Sequence, residues 1–276
     1  MADPDPDSPL LVPALGRRVL TVISGRRGIG LGVLVIVLVL WQAVRTFNLA
    51  PDLFVPGPAR VFDTFLRYLV EPYQNATLLL HFAITLARVF IAFGLALLTG
   101  IGLGLLAGMF WRVDAISEPI INFIRPLPPL SYYILLLIWL GYGEPSKVAL
   151  LYLAALPPIV INTRAGVQHV PEELLGAARS LGARDDQIFR HVVLPSSLPF
   201  IFAGARIALG VTYATVVAAE LLATQFGIGF VTYVASEQLR TDIVFVGVIL
   251  LGLVGMALDF GAQRLERRLV PWLGKV

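Results

Sequence analysis

Apolar and polar positions along this chain alternate in long blocks. Apolar runs extend from Ile29 to Val44, Thr77 to Phe110, Ile116 to Leu140, Val148 to Ile161, Phe200 to Ala223 and Ile243 to Phe260. A membrane-crossing helix needs about 20 such residues, so the pattern predicts an all-α integral membrane protein with about six transmembrane helices. Arg125-Pro126-Leu127-Pro128-Pro129 interrupts the third and Pro157-Pro158 the fourth. The second run exceeds one span. It divides into a polar-flecked turn carrying His81, Thr85 and Arg88 and a core span from Val89 to Phe110, followed by a short loop at Trp111 to Asp114. Asn48 to Pro51 and Val55-Pro56-Gly57-Pro58 are turn punctuation. The expected partition is a tail over 1–28, a first transmembrane helix over 29–47 and an external segment with an interfacial helix over 48–76. Five transmembrane helices then fill 77–263, and a second tail covers 264–276.

The longest polar break in the second half is the 164–195 segment. Pro171 precedes Glu172 and Glu173, which suits the first turn of a helix, where a missing N–H is harmless and carboxylates meet the positive end of the dipole. Leu174, Ala178 and Leu181 repeat at helical spacing and form a narrow apolar stripe, and Gly182 follows as a stop. A second short helical run carries Ile188 and Val192 on one face and ends at Leu194-Pro195. The segment predicts a helix, a glycine break and a helix, projecting from the membrane as a knob for another protein to grip.

Composition agrees with the pattern. The chain is 57% hydrophobic and 14% charged with mean hydropathy +0.82, against about a quarter charged in a soluble domain. The net charge of +3 comes from arginines at span ends, which places them on the cytoplasmic side and argues against nucleic-acid binding. Arg17, Arg18, Arg26 and Arg27 precede the first span, Arg164, Arg179, Arg184 and Arg190 lie in the polar segment, and Arg264, Arg267 and Arg268 follow the last span. Both termini and the knob are therefore expected in the cytoplasm. With no cysteine there is neither a disulfide framework nor a thiolate metal site.

Catalytic chemistry is hard to place here. No G-x4-G-K-[ST] loop is present to cradle a nucleotide, and His81, His169 and His191 are scattered without metal-ligand spacing. The ionisable residues inside spans are expensive in a bilayer and should face the protein interior or water. Arg88, Tyr213, Thr215 and Glu220 are candidates for a translocation path, with Arg88 and Glu220 possible partners of each other. Arg206, near the cytoplasmic end, is expected to snorkel or to bind the polar knob. Gly100, Gly104 and Gly108 recur every fourth residue and leave one helix face nearly bare, which favours close helix packing over a substrate groove.

Ala177-Ala178, Gly182 and Val192-Val193-Leu194-Pro195 resemble the EAA loop, E-A-A-x3-G-x9-I-x-L-P, of permease subunits of ATP-binding-cassette (ABC) importers. Gly176 stands at the glutamate position and Val192 at the isoleucine. The run RPLPPLSYYILLLIWLGYGEPSK resembles the permease family serving taurine, alkanesulfonates, nitrate and bicarbonate. VVAAELLATQFGIGFVTYVASEQLRTDIVFVGVI and RRLVPWLGKV are most similar to its taurine members. The resemblance implies a type I ABC importer permease (MetI-like) fold in the bacterial inner membrane. It implies a homodimer, two ATPase subunits that bind ATP and Mg, and a periplasmic substrate-binding protein, with no cofactor or catalysis in this chain. Glu172, Glu173, Leu174, Gly176, Ala177, Ala178, Leu181, Gly182, Leu194 and Pro195 would then couple to the ATPase. A stand-alone secondary transporter is the competing class; it would have no use for such a knob.

Overall fold

The computed structural model describes residues 26–222 and 224–271. The acidic tail with Arg17 and Arg18, and the end of the chain with Lys275, lie outside the described residues. The chain divides into two compact units, Met1–Asp63 and Thr64–Val276.

In the first unit α1 (Arg26–Thr46) begins inside the segment expected to be tail, and its apolar part is the short helix Gly32–Thr46. Trp41 Nε1 donates to the Pro56 carbonyl at 2.9 Å, and Arg45 pairs with Asp52 at 2.8 Å. These contacts fold the proline-rich turn back onto the end of α1. Pro58 opens α2 (Pro58–Val70), where its missing N–H is no loss.

The second unit holds α3 (Leu78–Met109), α4 (Trp111–Ile124), α5 (Pro129–Leu140) and α6 (Glu144–Gln168). It continues with α7 (Glu172–Ser180), α8 (Asp185–Ile188), a π-helical turn over Phe189–Val193, α9 (Leu194–Leu222), α10 (Ile228–Glu237) and α11 (Thr241–Leu269). Its core is the contact of α3, α6 and α9, where Val89, Ala92, Leu151, Leu209 and Val216 form one buried cluster. Ala96, Ala155, Ile159 and Ala208 form another. Small residues set the helix spacing. A Cβ added at Gly100, Gly104 or Gly108 would meet Ile159, Thr163 or Val167 of α6 at 2.9, 2.5 and 2.5 Å. Both helices advance four residues per contact, so one ridge lies in one groove along the seam.

Several boundaries differ from expectation for identifiable reasons. Among the described residues, four helices are long and apolar enough to cross a membrane, and α4 with α5 supplies a fifth if the pair is one span bent by 103°. The first span expected from the pattern corresponds to the shorter apolar helix Gly32–Thr46. The polar-flecked turn ahead of Val89 is no separate element; α3 runs unbroken because His81, Thr85 and Arg88 share one face and are all buried against partners. Trp111 to Asp114 is the first turn of α4, not a loop. Pro157-Pro158 leaves α6 a single helix, since packed neighbours stabilise proline inside a span. With α6 reaching Gln168 and α8 starting at Asp185, the 164–195 loop shrinks at both ends. Leu194-Pro195 ends no helix. Pro195 has no N–H for the His191 carbonyl, and the π turn just before it takes up the ring as the chain runs on as one apolar helix from Asp185 to Leu222. The C-terminal segment expected as tail is helical to Leu269.

Candidate functional site

Two polar features stand out, at opposite ends of the run from Asp185 to Leu222. At its start, α7 is a short helix with no buried residue. Glu172 and Glu173 occupy its first turn and Arg179 its last, each complementing the helix dipole. Gly182 ends it at φ +76, a left-handed conformation that favours glycine, while Ala183 N–H returns to the Ala178 carbonyl at 3.1 Å. Among the described residues, nothing packs within 4 Å of a Cβ placed at Gly176 or Gly182. Leu174 is 50% and Leu181 88% exposed, Ala178 is half-buried, and Ala177 is exposed. The stripe of Leu174, Ala178 and Leu181 thus has little of its own chain to cover it. Leu194 and Pro195 lie apart from it, half-buried in the first turn of α9. Behind the knob Val170 and Ile188 are buried, and the His169 ring lies 5.3 Å from Phe200, so the exposed helix stands on a packed base.

The far end of the run is closed by a knot around Arg88 and Glu220. Arg88 Nε and Nη2 donate to the two oxygens of Glu144, 2.7 Å each. Its Nη1 donates to Glu220 Oε1 at 2.7 Å and to the Phe226 carbonyl at 2.8 Å, and Nη2 also reaches Thr224 Oγ1 at 3.1 Å. The five donors of the guanidinium are all used. Glu220 is 0% exposed and also accepts from Thr85 Oγ1 at 2.8 Å and from Gly229 N–H at 2.9 Å. Thr85 in turn accepts Ile228 N–H at 2.9 Å. His81 Nδ1 accepts Gly227 N–H at 3.1 Å, so its Nε2 carries the proton that faces the Tyr73 carbonyl at 3.2 Å. Lys147 Nζ reaches Glu144 at 3.1 Å, which balances two cations with two carboxylates. Gly227, at φ +123, has room for no Cβ against the Glu220 carboxylate. The knot ties the end of α9 and the turn into α10 to α3 and to the start of α6.

Of the four path candidates, two meet in this knot and two stand apart from it. Arg88 and Glu220 meet but are consumed by each other and their neighbours. Tyr213 is held through its hydroxyl to the Leu251 carbonyl of α11 at 2.7 Å. Thr215 is buried and donates to Val211 of its own helix at 2.7 Å. Arg206 makes no contact with the knob; it is paired with Asp259 of α11 at 2.6 Å. Pattern reading missed Glu144 and Thr85 as members of the knot, and placed His81 outside any cluster. The available signal was the shared helical face of His81, Thr85 and Arg88.

A second, smaller cluster lies at the start of α11. Thr64 donates to Asp242 at 3.0 Å, Arg240 pairs with Asp242 at 3.0 Å, and Tyr73 donates to Gln238 at 2.8 Å. Hydrogen bonds to Asp242 hold the Arg240 guanidinium above its ordinary pKa, and burial pushes the Tyr73 phenol up.

Comparison with known proteins places this helical bundle. The family of inner membrane components of binding-protein-dependent transport systems matches residues 100–271, and the chain belongs to that family. Its relatives include the taurine transport system permease protein TauC of Escherichia coli K12. The two are 41% identical over 92% of this chain and 93% of that protein. A nitrate import permease protein, NrtB of Synechococcus elongatus, is 32% identical over 87% of this chain and 86% of its own. Among solved structures, the inward-facing MetNI methionine ABC transporter matches with a TM-score of 0.60 at 21% identity, covering 67% of this chain and 92% of that one. The last likeness speaks for the fold alone, which is all-α and MetI-like.

Proposed function

We propose that this chain is the permease subunit of an ATP-driven importer that moves a small organic sulfonate such as taurine across the bacterial inner membrane. The observation that carries the reading is the 41% identity with the taurine permease, which runs through nearly the whole of both chains. Two copies would form the path, and two separate ATPase subunits would bind ATP with Mg and perform the hydrolysis. A periplasmic binding protein would deliver the substrate. Both termini and α7 would lie in the cytoplasm.

In this reading α7 is the handle. Glu172, Glu173, Leu174, Ala177, Ala178 and Leu181 offer the ATPase an apolar stripe edged by charge, and Gly176 and Gly182 leave it room. Force on α7 crosses the Gly182 turn into α8, and from there the π turn and α9 continue as one helical run. At the far end Glu220 hands that motion to α3 and α10 through Arg88 and Gly229. A stand-alone secondary transporter gives α7 nothing to do.

The test is purification of the tagged chain in mild detergent, with mass spectrometry of what accompanies it and uptake after reconstitution with the binding protein. A co-purifying ATPase stimulated by the binding protein with taurine upholds the reading. Stimulation by nitrate, bicarbonate or an alkanesulfonate instead keeps the class and changes the cargo. A lone permease that transports without ATP overturns it.

A further inference from the structure

The two proline breaks that the pattern singled out meet in space, and neither the knob nor the knot uses them. A cavity of about 240 Å³ lies between the α4–α5 elbow, α6 and α9, and its lining includes Arg125, Tyr132, Leu153, Ala154 and Pro158. It is smaller than the roughly 300–1,000 Å³ typical of drug-sized sites, which suits a solute of a few heavy atoms.

One wall carries an unmatched charge. Arg125 is exposed and makes no hydrogen bond or ion pair among the described residues. Its cavity partners from α6 and α9, Pro157, Pro158, Ile207 and Val211, lie near the middle of helices long enough to span a bilayer. A guanidinium at that depth is costly against lipid, so it must face water, a ligand or a protein anion. The Tyr132 hydroxyl also has no partner among the described residues.

The same lining includes two residues whose carbonyls lose their usual helical donor. Pro157 and Pro158 cannot donate to the carbonyls of Leu153 and Ala154, the residues four positions earlier, and those residues line the same cavity. The helix just beyond is fixed: Asn162 Nδ2 donates to the Pro158 carbonyl at 2.8 Å, and a Cβ at Gly204 would meet that carbonyl at 2.9 Å. The helix that carries these carbonyls is thus packed in place. The lining therefore brings together one guanidinium, one phenol hydroxyl and two residues whose carbonyls lack their usual helical donor.

We propose that this cavity is a transit site for a small zwitterion with an anionic oxyacid head and an ammonium group. Arg125 and Tyr132 take the head, and the carbonyls of Leu153 and Ala154 take the ammonium. The guanidinium fork matches a head with several acceptor oxygens. The proposal rests on the sulfonate reading above and deepens it: this chain would itself select for the amino group.

The test compares uptake of taurine and of ethanesulfonate, which lacks the ammonium, by the reconstituted complete complex at saturating substrate. Arg125→Gln should slow taurine uptake about tenfold or more, the size expected for one lost charge-assisted contact, while the variant still co-purifies with the ATPase. Pro157→Ala/Pro158→Ala, which restores the N–H donors, should slow taurine uptake and leave the taurine-to-ethanesulfonate ratio lower than in the wild type. If Arg125→Gln fails to assemble, Arg125→Lys reads the same point: a slowed rate upholds the site, and a wild-type rate overturns it. Wild-type taurine uptake in Arg125→Gln, or an unchanged ratio in the proline variant, also overturns the site while the sulfonate reading stands. A wild-type complex that carries neither compound overturns the sulfonate reading, and the site with it.

Discussion

The α7 knob and the Arg88–Glu220 knot lie at opposite ends of the helical run from Asp185 to Leu222, yet they solve opposite problems. The knob is polar at its ends and carries Leu174 and Leu181 exposed, a surface the described residues do not cover. The knot is more highly charged, but no donor on Arg88 is left over and Glu220 is wholly enclosed. Charge inside a span is tolerable when the chain supplies every partner, so the knot is complete within one subunit. An apolar stripe on a solvent-facing helix is complete only when something else covers it. The difference separates what the fold needs from what an assembly needs, and mutations should separate them too.

The largest effect on stability should come from the knot. Arg88→Ala leaves the Glu220 carboxylate enclosed without its cation, and breaking a buried pair in this way costs about 3–5 kcal/mol. The expected outcome is a steep fall in the unfolding midpoint of the purified protein, followed by thermal fluorescence. A midpoint equal to that of the wild type would show that Glu220 finds its support elsewhere. Glu220→Gln keeps the volume and leaves Arg88 its contacts with Glu144, so the midpoint should fall less. Uptake should fall further than the yield of assembled complex, because the altered side chain links α9 to α3 and α10. Equal losses in both would make the carboxylate purely structural.

The glycine seam should come next. Gly104→Val places a branched side chain against Thr163, where even a Cβ would sit at 2.5 Å. Overpacking of this kind costs about 1–3 kcal/mol, and the same substitution at Gly102, which faces open space, should cost far less. Parallel unfolding of the two variants checks the contrast; similar midpoints would mean that α3 and α6 are not held together along this face.

How much of this could be read in advance depends on the range of the interaction. The spacing of Leu174, Ala178 and Leu181, and of the three glycines, is local to one helix, and its meaning survives without the partner helix being known. Arg88 and Glu220 were legible as expensive residues in need of company, and each was a possible partner for the other. Glu144 was not, because its position beside a turn proline resembles any exposed loop residue and its pairing with Arg88 spans 56 residues of chain. The prolines misled for a related reason. Pro157-Pro158 and Pro195 break helices in isolation, whereas a packed neighbour or a π turn removes the penalty, and neither shows in a hydropathy pattern. Tyr213 and Thr215 were legible as polar residues within a span, but the bond of one across to α11 and of the other back to its own helix was not.

The smallest change in stability, and the sharpest test of the contrast, belongs to the knob. Leu174→Asp/Leu181→Asp removes an apolar stripe that the chain leaves largely bare, so the unfolding midpoint should move by no more than the roughly 0.5 kcal/mol of an ordinary surface substitution. ATP-driven uptake by the assembled importer should nevertheless collapse, since two carboxylates would have to be buried without partners wherever an ATPase covers that stripe. Arg184→Ala is the matched control: its exposed pair with Asp186 at 3.3 Å contributes little, and both the midpoint and uptake should stay near wild type. Normal uptake in the double aspartate variant would move the docking surface off α7. A large loss of stability would mean that Leu174 and Leu181 serve the fold after all, and that the knob and the knot differ less than their exposure implies.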